Sequence, residues 1–484
     1  MKIDQLMDKE SRAQYQLLVY LYERKDGASI KEVLQKMGLT KVTLIKYISN
    51  LNTLFQENNL SCIVCVDDIN IKVLEKHHFT WQEVISLLLQ NSISYQILKY
   101  LMCNEFFNVT FLAQELAVSE ATFNRQLSFI NSCLEEFDIA IYQGKQVGSE
   151  LNWRYFYFEL FQVTLTEYEW KKMCSDLDFD HLSYLCEKII GEKLPTKKVS
   201  DLALWLAISQ KRLLFQKDKK LPLHIEVDYI EENVFYKRLE RLMLRFLSRY
   251  AIEFDRFESK SLFIFLHSHH ILPIRTMEYI LGFGGPISDK ISEALWLLKK
   301  AQIIADKTKE EIIYALGIFF SKSTFFNGTI LASDSNDKTL YQLVSDEDID
   351  KIELVLRHLF ILCGDKGESS DLAIQLRSYL LELLVFSIER HHKPLKIALE
   401  IGAHSVKNAM IQLSIQSYLD NNRNYQFVSL SEKADCLITF ENRIQELAIP
   451  HFHLKSYTSP FELSELQLFL EDRLKAKNSP LEYK

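Results

Sequence analysis

Residues 29–55 carry an apolar pattern that returns without a gap 79 positions later in the chain. Ile30, Val33, Leu34 and Met37 fall at i, i+3, i+4 and i+7, one stripe of a short helix that Ser29 can cap. Gly38 breaks that helix, Thr40 is placed to cap the next, and Leu44, Ile48, Leu51 and Phe55 supply its buried stripe. At the shifted positions stand Val109, Leu112, Ala113 and Leu116, then Ser119, then Phe123, Leu127, Ile130 and Leu134. One such pattern arises easily by chance, but nine positions in register describe a duplicated unit. Two helices joined by a tight turn predict a helix-turn-helix in each copy.

Each copy has an amphipathic helix in front, around Tyr15, Leu18, Val19 and Tyr22 in the first and Ile97, Leu98 and Leu101 in the second. Each is followed by a strand-like hairpin: Cys62–Val66 with 69–73, then Ile139–Tyr142 with Gln146 onward. Three helices and a hairpin predict a winged helix. Opposite the first buried stripe the spacing places Thr43, Lys46, Tyr47 and Asn50, with Thr40 and Lys41 at the first turn. The second face reads Thr122, Arg125 and Gln126, with Ser119 and Asn124 near its start, and Phe129 standing where the first copy has Asn50. Such donors suit base edges and phosphates when a recognition helix enters the major groove of double-stranded DNA.

Composition bears on where DNA contact can lie. The net charge is −8, so any phosphate-binding surface must be local. Residues 29–55 hold four lysines and one acid, Glu32, a basic island in an acidic chain. At 484 residues the chain exceeds one ordinary core, and 48% apolar residues with few prolines predict several helix-rich domains. The charged start at residues 1–12, with no apolar run of membrane-spanning length, predicts a cytoplasmic protein without membrane attachment. The eight scattered cysteines suit free thiols in a reducing compartment.

The segment Val118-Ser119-Glu120-Ala121-Thr122-Phe123-Asn124-Arg125 resembles the recognition helix of the Mga and AtxA family of virulence regulators of Gram-positive bacteria. Val147-Gly148-Ser149-Glu150, followed by Arg154-Tyr155-Phe156-Tyr157-Phe158, resembles the segment closing that family's DNA-binding half. The resemblance implies a mainly α, multidomain chain: a winged helix-turn-helix pair, two helical-bundle regulation domains of the phosphotransferase-system type, and a small α/β domain similar to enzyme IIB. The domain edges expected are 1–78, 79–164, 165–287, 288–394 and 395–484. It also implies a homodimer and exchange with phosphocarrier proteins of the sugar phosphotransferase system. The function implied is transcriptional regulation, as an activator of virulence or carbohydrate-linked genes.

In such regulation domains phosphorylation falls on histidine, adding charge that shifts packing or association. Where family members have a first histidine, this chain has Asp201-Leu202. The remaining candidates are His267, His269 and His270 on an expected helix over 262–272, and His391 and His392 in the second domain. The alternative for the first three is a packed role in an apolar segment. The last 90 or so residues alternate strand-like and helix-like patterns, around 394–401, 406–419, 425–430, 434–440 and 461–474, which predicts a small parallel sheet. The loop Glu400-Ile401-Gly402-Ala403-His404-Ser405 lacks the cysteine that a phosphocarrying enzyme IIB uses, which favours a dimerisation or sensing role for this module.

Other motifs carry less. Cys62 and Cys65 have metal-pair spacing, but residues three apart on a strand face opposite ways. His451 and His453 share a face with no third ligand, and Gly282–Pro286 lacks the Lys-Ser/Thr of a phosphate loop. No metal, cofactor or catalytic set is therefore expected, and the chain reads as a non-enzyme. The competing class is a phosphotransferase-system signalling protein whose helix-turn-helix units bind a protein partner.

Overall fold

The computed structural model describes residues 1–478 except 25, 61, 68, 76–79, 178–180, 182, 183, 185, 186, 189, 214, 216–220, 223–226, 250–254, 305–309, 333–336, 345, 365–369, 392, 393, 401–404, 420–424, 430–432 and 441–448. The chain forms two compact units, Met1–Gln302 with Asp306–Leu383, and Ile303–Ala305 with Leu384–Lys484.

The first unit opens with Lys9–Tyr22 (α1), Ala28–Ser29 (β1), Ile30–Met37 (α2), Lys41–Glu57 (α3), Cys62–Val66 (β2) and Asn70–Glu75 (β3). The strands form one antiparallel sheet in the order β1-β3-β2. After Trp81–Leu89 (α4) the pattern recurs as Ile93–Cys103 (α5), Val109–Glu115 (α6), Glu120–Leu134 (α7), Ile139–Tyr142 (β4) and Lys145–Gly148 (β5). The duplicated sequence thus folds into two winged helix-turn-helix units. Their turns match as well: Gly38 is left-handed with φ 63°, and Ala117, at the equivalent position, takes φ 54° although it has a Cβ.

Glu150–Thr164 (α8) follows, and it is buried on every side, which only an internal helix can be. Its aromatic residues reach several neighbours: the Tyr157 hydroxyl donates to the Leu98 carbonyl, and the Tyr155 hydroxyl to that of Gly328. Glu167–Met173 (α9), Thr196–Lys211 (α10), Val227–Glu232 (α11), Val234–Arg249 (α12), Arg256–Ser268 (α13), Ile274–Leu281 (α14), Pro286–Lys300 (α15), Glu310–Phe325 (α16), Asp337–Tyr341 (α17), Asp346–Leu362 (α18) and Asp371–His391 (α19) complete the helical body. Trp205 stacks on Phe265 at 4.4 Å and Tyr155 on Phe326 at 4.0 Å between ring centroids, so α8, α10, α13 and the end of α16 share one aromatic core.

One helix is shorter than its apolar run suggested. α13 stops at Ser268, and His269 is already extended (φ −121°, ψ 160°), with Pro273 capping the next helix. His269 and His270 therefore lie beyond the helix end rather than along it.

The second unit holds a parallel sheet in the order β7-β6-β8-β9, built from Leu395–Glu400 (β6), Tyr425–Val428 (β7), Cys436–Thr439 (β8) and His451–His453 (β9). Ser405–Tyr418 (α20) and Pro460–Asn478 (α21) pack on it through Ile411, Ile415, Leu466 and Leu470. The fold is mainly α and multidomain, with small sheets. Among the described residues no helix is long and apolar enough to cross a membrane.

Candidate nucleic-acid interface

The two recognition helices are set up by the same local chemistry. Thr40 accepts from the Thr43 amide at 3.2 Å and Ser119 from the Thr122 amide at 3.2 Å, so each hydroxyl satisfies a donor that the first helical turn leaves free. The capped ends carry the positive pole of the helix dipole, which favours phosphate oxygens nearby.

A second repeated contact fixes each helix to its wing. Asn52 Nδ2 donates to the Val64 carbonyl and Oδ1 accepts from the Val64 amide, both at 2.9 Å. Asn131 grips Ile141 in the same way, at 2.9 and 2.7 Å. Sequence reasoning had passed over these asparagines, although Asn52 and Asn131 stand at the same place in the repeat. In the second wing the turn runs through Gln143 and Gly144 with φ 50° and 75°, a two-residue hairpin. Gly144 is required there because a Cβ would meet the Phe107 carbonyl oxygen at 2.2 Å.

The exposed faces differ by a rotation from those expected. Over the first three turns of α3 the exposed positions are Lys41, Val42, Ile45, Lys46, Ser49 and Asn50, whereas Thr43 and Tyr47 are half-buried. The cause is α1, which flanks that side: Gln14 Nε2 donates to the Tyr47 carbonyl at 2.9 Å, and Glu10 accepts from Asn50 Nδ2 at 2.7 Å. On α7 Glu120, Ala121, Asn124, Arg125 and Ser128 are exposed, while Thr122 and Gln126 are half-buried. Gln126 accepts from the Ser94 hydroxyl at 3.0 Å. Of the residues chosen from sequence, Thr40, Lys41, Lys46, Asn50, Ser119, Asn124 and Arg125 thus stand in the open. Thr43, Tyr47, Thr122 and Gln126 sit on the flank, and Val42, Ile45, Ser49, Ala121 and Ser128 take the outward places.

Behind the second wing lies a buried chain of charges that sequence reasoning also missed. Arg212, just past α10, holds both Glu150 oxygens at 2.9 and 2.8 Å and donates to Gln146 Oε1 in β5 at 2.7 Å. Gln146 in turn donates to the carbonyls of Leu101 and Asn104, at the end of α5. Glu150 also accepts from Arg154 at 3.0 Å, and Arg154 makes a bidentate pair with Glu258 of α13 at 2.6 and 2.8 Å. Both arginines and Glu150 are fully buried. Burial alone would weaken the charge of Arg154, but Glu258 first and Glu150 second more than restore it, so the guanidinium stays protonated. A charged pair at i and i+4 inside an otherwise aromatic helix was the available signal.

The three clustered histidines have separate environments. His267 is buried, with Nδ1 2.6 Å from Ser321 Oγ. Ser321 spends its own proton on the Gly317 carbonyl at 2.6 Å, so His267 Nδ1 carries the hydrogen. Burial pulls the His267 pKa down to about 4. His269 stacks on Phe265 at 4.5 Å, and its buried Nε2 has no hydrogen-bond partner among the described residues. Burial, then Lys322, holds it neutral. His270 is exposed as a residue, but its ring is flanked by Tyr314 and Tyr379, and its partial burial there first, then Lys198 and Lys322, lower its pKa. The side chain of His391, all of His392, and residues 401–404 of the expected enzyme IIB loop lie outside the described residues. Cys62 and Cys65 sit at a buried and a half-buried place on β2, and among the described residues no His, Cys, Asp and Glu cluster is placed to hold a metal.

The His267 value sets an acid limit on stability. An unfolded histidine binds its proton near pH 6.5 and the folded one only near 4, so the unfolded state takes up more protons between those values. Stability is full above about pH 6.5 and falls as the pH drops toward 4, by on the order of 3 kcal/mol for this residue. Urea denaturation at pH 7.5 and pH 5 measures the loss, and His267→Gln should shrink the difference.

Residues 8–63 match the family profile described as the M protein trans-acting positive regulator (MGA) HTH domain, and residues 77–161 match the Mga helix-turn-helix domain. No curated protein matches the chain. The first match spans α1 to the start of β2, and the second runs from ahead of α4 into α8, so each covers a recognition helix with its cap and the second also takes in the wing and the charged start of α8. With both helix-turn-helix units matched in order, the first third of the chain is similar to the DNA-binding domains of Mga-type transcription regulators.

Proposed function

We propose that the chain reads duplex DNA with both heads at once, α3 and α7 each entering a major groove, and that its helical body and C-terminal module govern when it does so. The observation that carries this is the repeated presentation: two helices with the same cap, the same asparagine clip and the same outward positions, with Lys41 and Lys46 on one and Asn124 and Arg125 on the other. Thr40 and Ser119 serve as caps beside the phosphates, and Asn50 at the far end of the α3 face. Thr43, Tyr47, Thr122 and Gln126 line the flank, within reach of backbone phosphates rather than base edges. Hydroxyl-radical footprinting of the intact chain should give two separate protected patches; Lys46→Ala should erase one and Arg125→Ala the other. A single patch, unchanged by either substitution, contradicts the two-headed reading.

We further infer regulation through phosphotransferase-type domains over 165–287 and 288–394, with activation of virulence or carbohydrate-linked genes as the output and a homodimer formed through the enzyme IIB-like module at 395–484. Within the first of these domains His270 is the accepting residue, because it is exposed, whereas His267 and His269 are packed among aromatic rings. A phosphocarrier protein charged with radiolabelled phosphate should transfer label to the intact chain, and His270→Ala should lose it. Label that survives this substitution moves the site elsewhere, with His391 and His392 as the remaining candidates.

A further inference from the structure

The two heads share one frame but present different chemistry. On α3 the outward residues of the first two turns are Lys41, Val42, Ile45 and Lys46; Val42 is 82% exposed and Ile45 44%. The equivalent places on α7 hold Glu120, Ala121, Asn124 and Arg125, all exposed. Two branched aliphatic side chains stand in water on the face of a helix whose cap and flanking ammonium groups favour a polyanion.

The major groove offers one apolar feature, the C5 methyl of thymine; its other base-edge groups are hydrogen-bond donors and acceptors. Val42 and Ile45 have no polar atom with which to satisfy those groups, so a groove rich in thymine methyls is the surface they fit. Asn124 and Arg125 have the opposite character: an amide matches the adenine edge, and a guanidinium the O6 and N7 of guanine. Charge complementarity fixes the occupant as nucleic acid rather than an apolar protein groove, since residues 29–55 bear four lysines and a single acid. The second head lacks that excess, with Arg125 facing Glu115 and Glu120 over the matching stretch.

We propose that the first head is a thymine-methyl reader and the second a purine-edge reader, so that the chain recognises an asymmetric site, thymine-rich on one side. This rests on the two-headed DNA reading and adds the chemistry that each head selects.

The test begins with selection of bound duplexes from a random pool by the intact chain, followed by resynthesis of an enriched duplex with deoxyuridine in place of single thymines. Deoxyuridine lacks only the methyl. The expected result is a thymine-rich segment in which one or two replacements each weaken binding about four-fold, while replacements elsewhere have no effect. In a Val42→Ala, Ile45→Ala chain the thymine and deoxyuridine duplexes should bind equally, with the rest of the selected site still preferred. Both substitutions are on the open surface, so circular dichroism should match the parent. The proposal is overturned if no deoxyuridine replacement matters, or if the methyl preference survives in the double variant. If the intact chain retains no duplex even at low salt, the DNA reading itself has failed, an outcome distinct from binding that ignores the methyl.

Discussion

Replacing Arg154 by methionine should destabilise the first unit by about 3–5 kcal/mol, the range for removing one member of a buried ion pair. Arg154 is fully buried and is the bidentate partner of Glu258, whose residue exposure is only 3%. The substitution leaves the Glu258 carboxylate in a low-dielectric interior without its guanidinium, whereas Glu150 keeps the two contacts from Arg212. The sign can be checked by repairing the charge: Arg154→Met combined with Glu258→Leu removes both ions and should recover much of the loss, as apolar replacement of a buried pair often does. Urea denaturation of the parent and the two variants measures this. Equal stability of parent and Arg154→Met would mean that water reaches the pair.

The second large effect is on binding. Lys46→Ala with Arg125→Ala should weaken duplex affinity by roughly 100-fold, since a good side-chain contact to a base edge is worth about 1–3 kcal/mol and each lost phosphate contact adds to it. Neither side chain supports the fold, because both are exposed and the helices beneath are held by Leu44, Ile48, Phe123 and Ile130. Stability should therefore be unchanged within about 0.5 kcal/mol. Loss of affinity with intact folding separates a contact residue from a scaffold residue; a loss of less than about three-fold would take both residues off the interface.

The fold was legible where local pattern determines it. The eight repeated apolar positions set the helices, and Thr40 and Ser119 set where they begin, because capping is a matter of a few neighbouring atoms. The alternation of strands and helices after residue 394 also gave β6, α20, β7, β8 and α21 to within a few residues. The reading face was less legible. Periodicity names the side opposite the core stripe, but Thr43 and Tyr47 are half-covered because α1 crosses there, and that crossing depends on Gln14 and Glu10, more than 30 residues away in sequence. The apolar Val42 and Ile45 were passed over because an isolated aliphatic residue reads as core until its exposure is known. Long range also hid the charge chain: Arg212 and Glu258 lie 62 and 104 residues from their partners. For the histidines, an apolar run suggested one helix, yet the helix ends at Ser268 and the chain is extended at His269, so His267, His269 and His270 lie in three different surroundings.

The central claim, that this chain grips DNA through two heads, the first of them locally basic, despite its net charge of −8, is tested most directly by titrating salt against the affinity of the intact chain for duplex DNA. The account predicts measurable binding at low salt whose logarithm falls linearly with the logarithm of salt concentration, with a slope of about −3 for the cations Lys41, Lys46 and Arg125. Absence of binding at roughly 50 mM salt, or affinity that does not change with salt, would contradict it and leave the two helix-turn-helix units as surfaces for a protein partner.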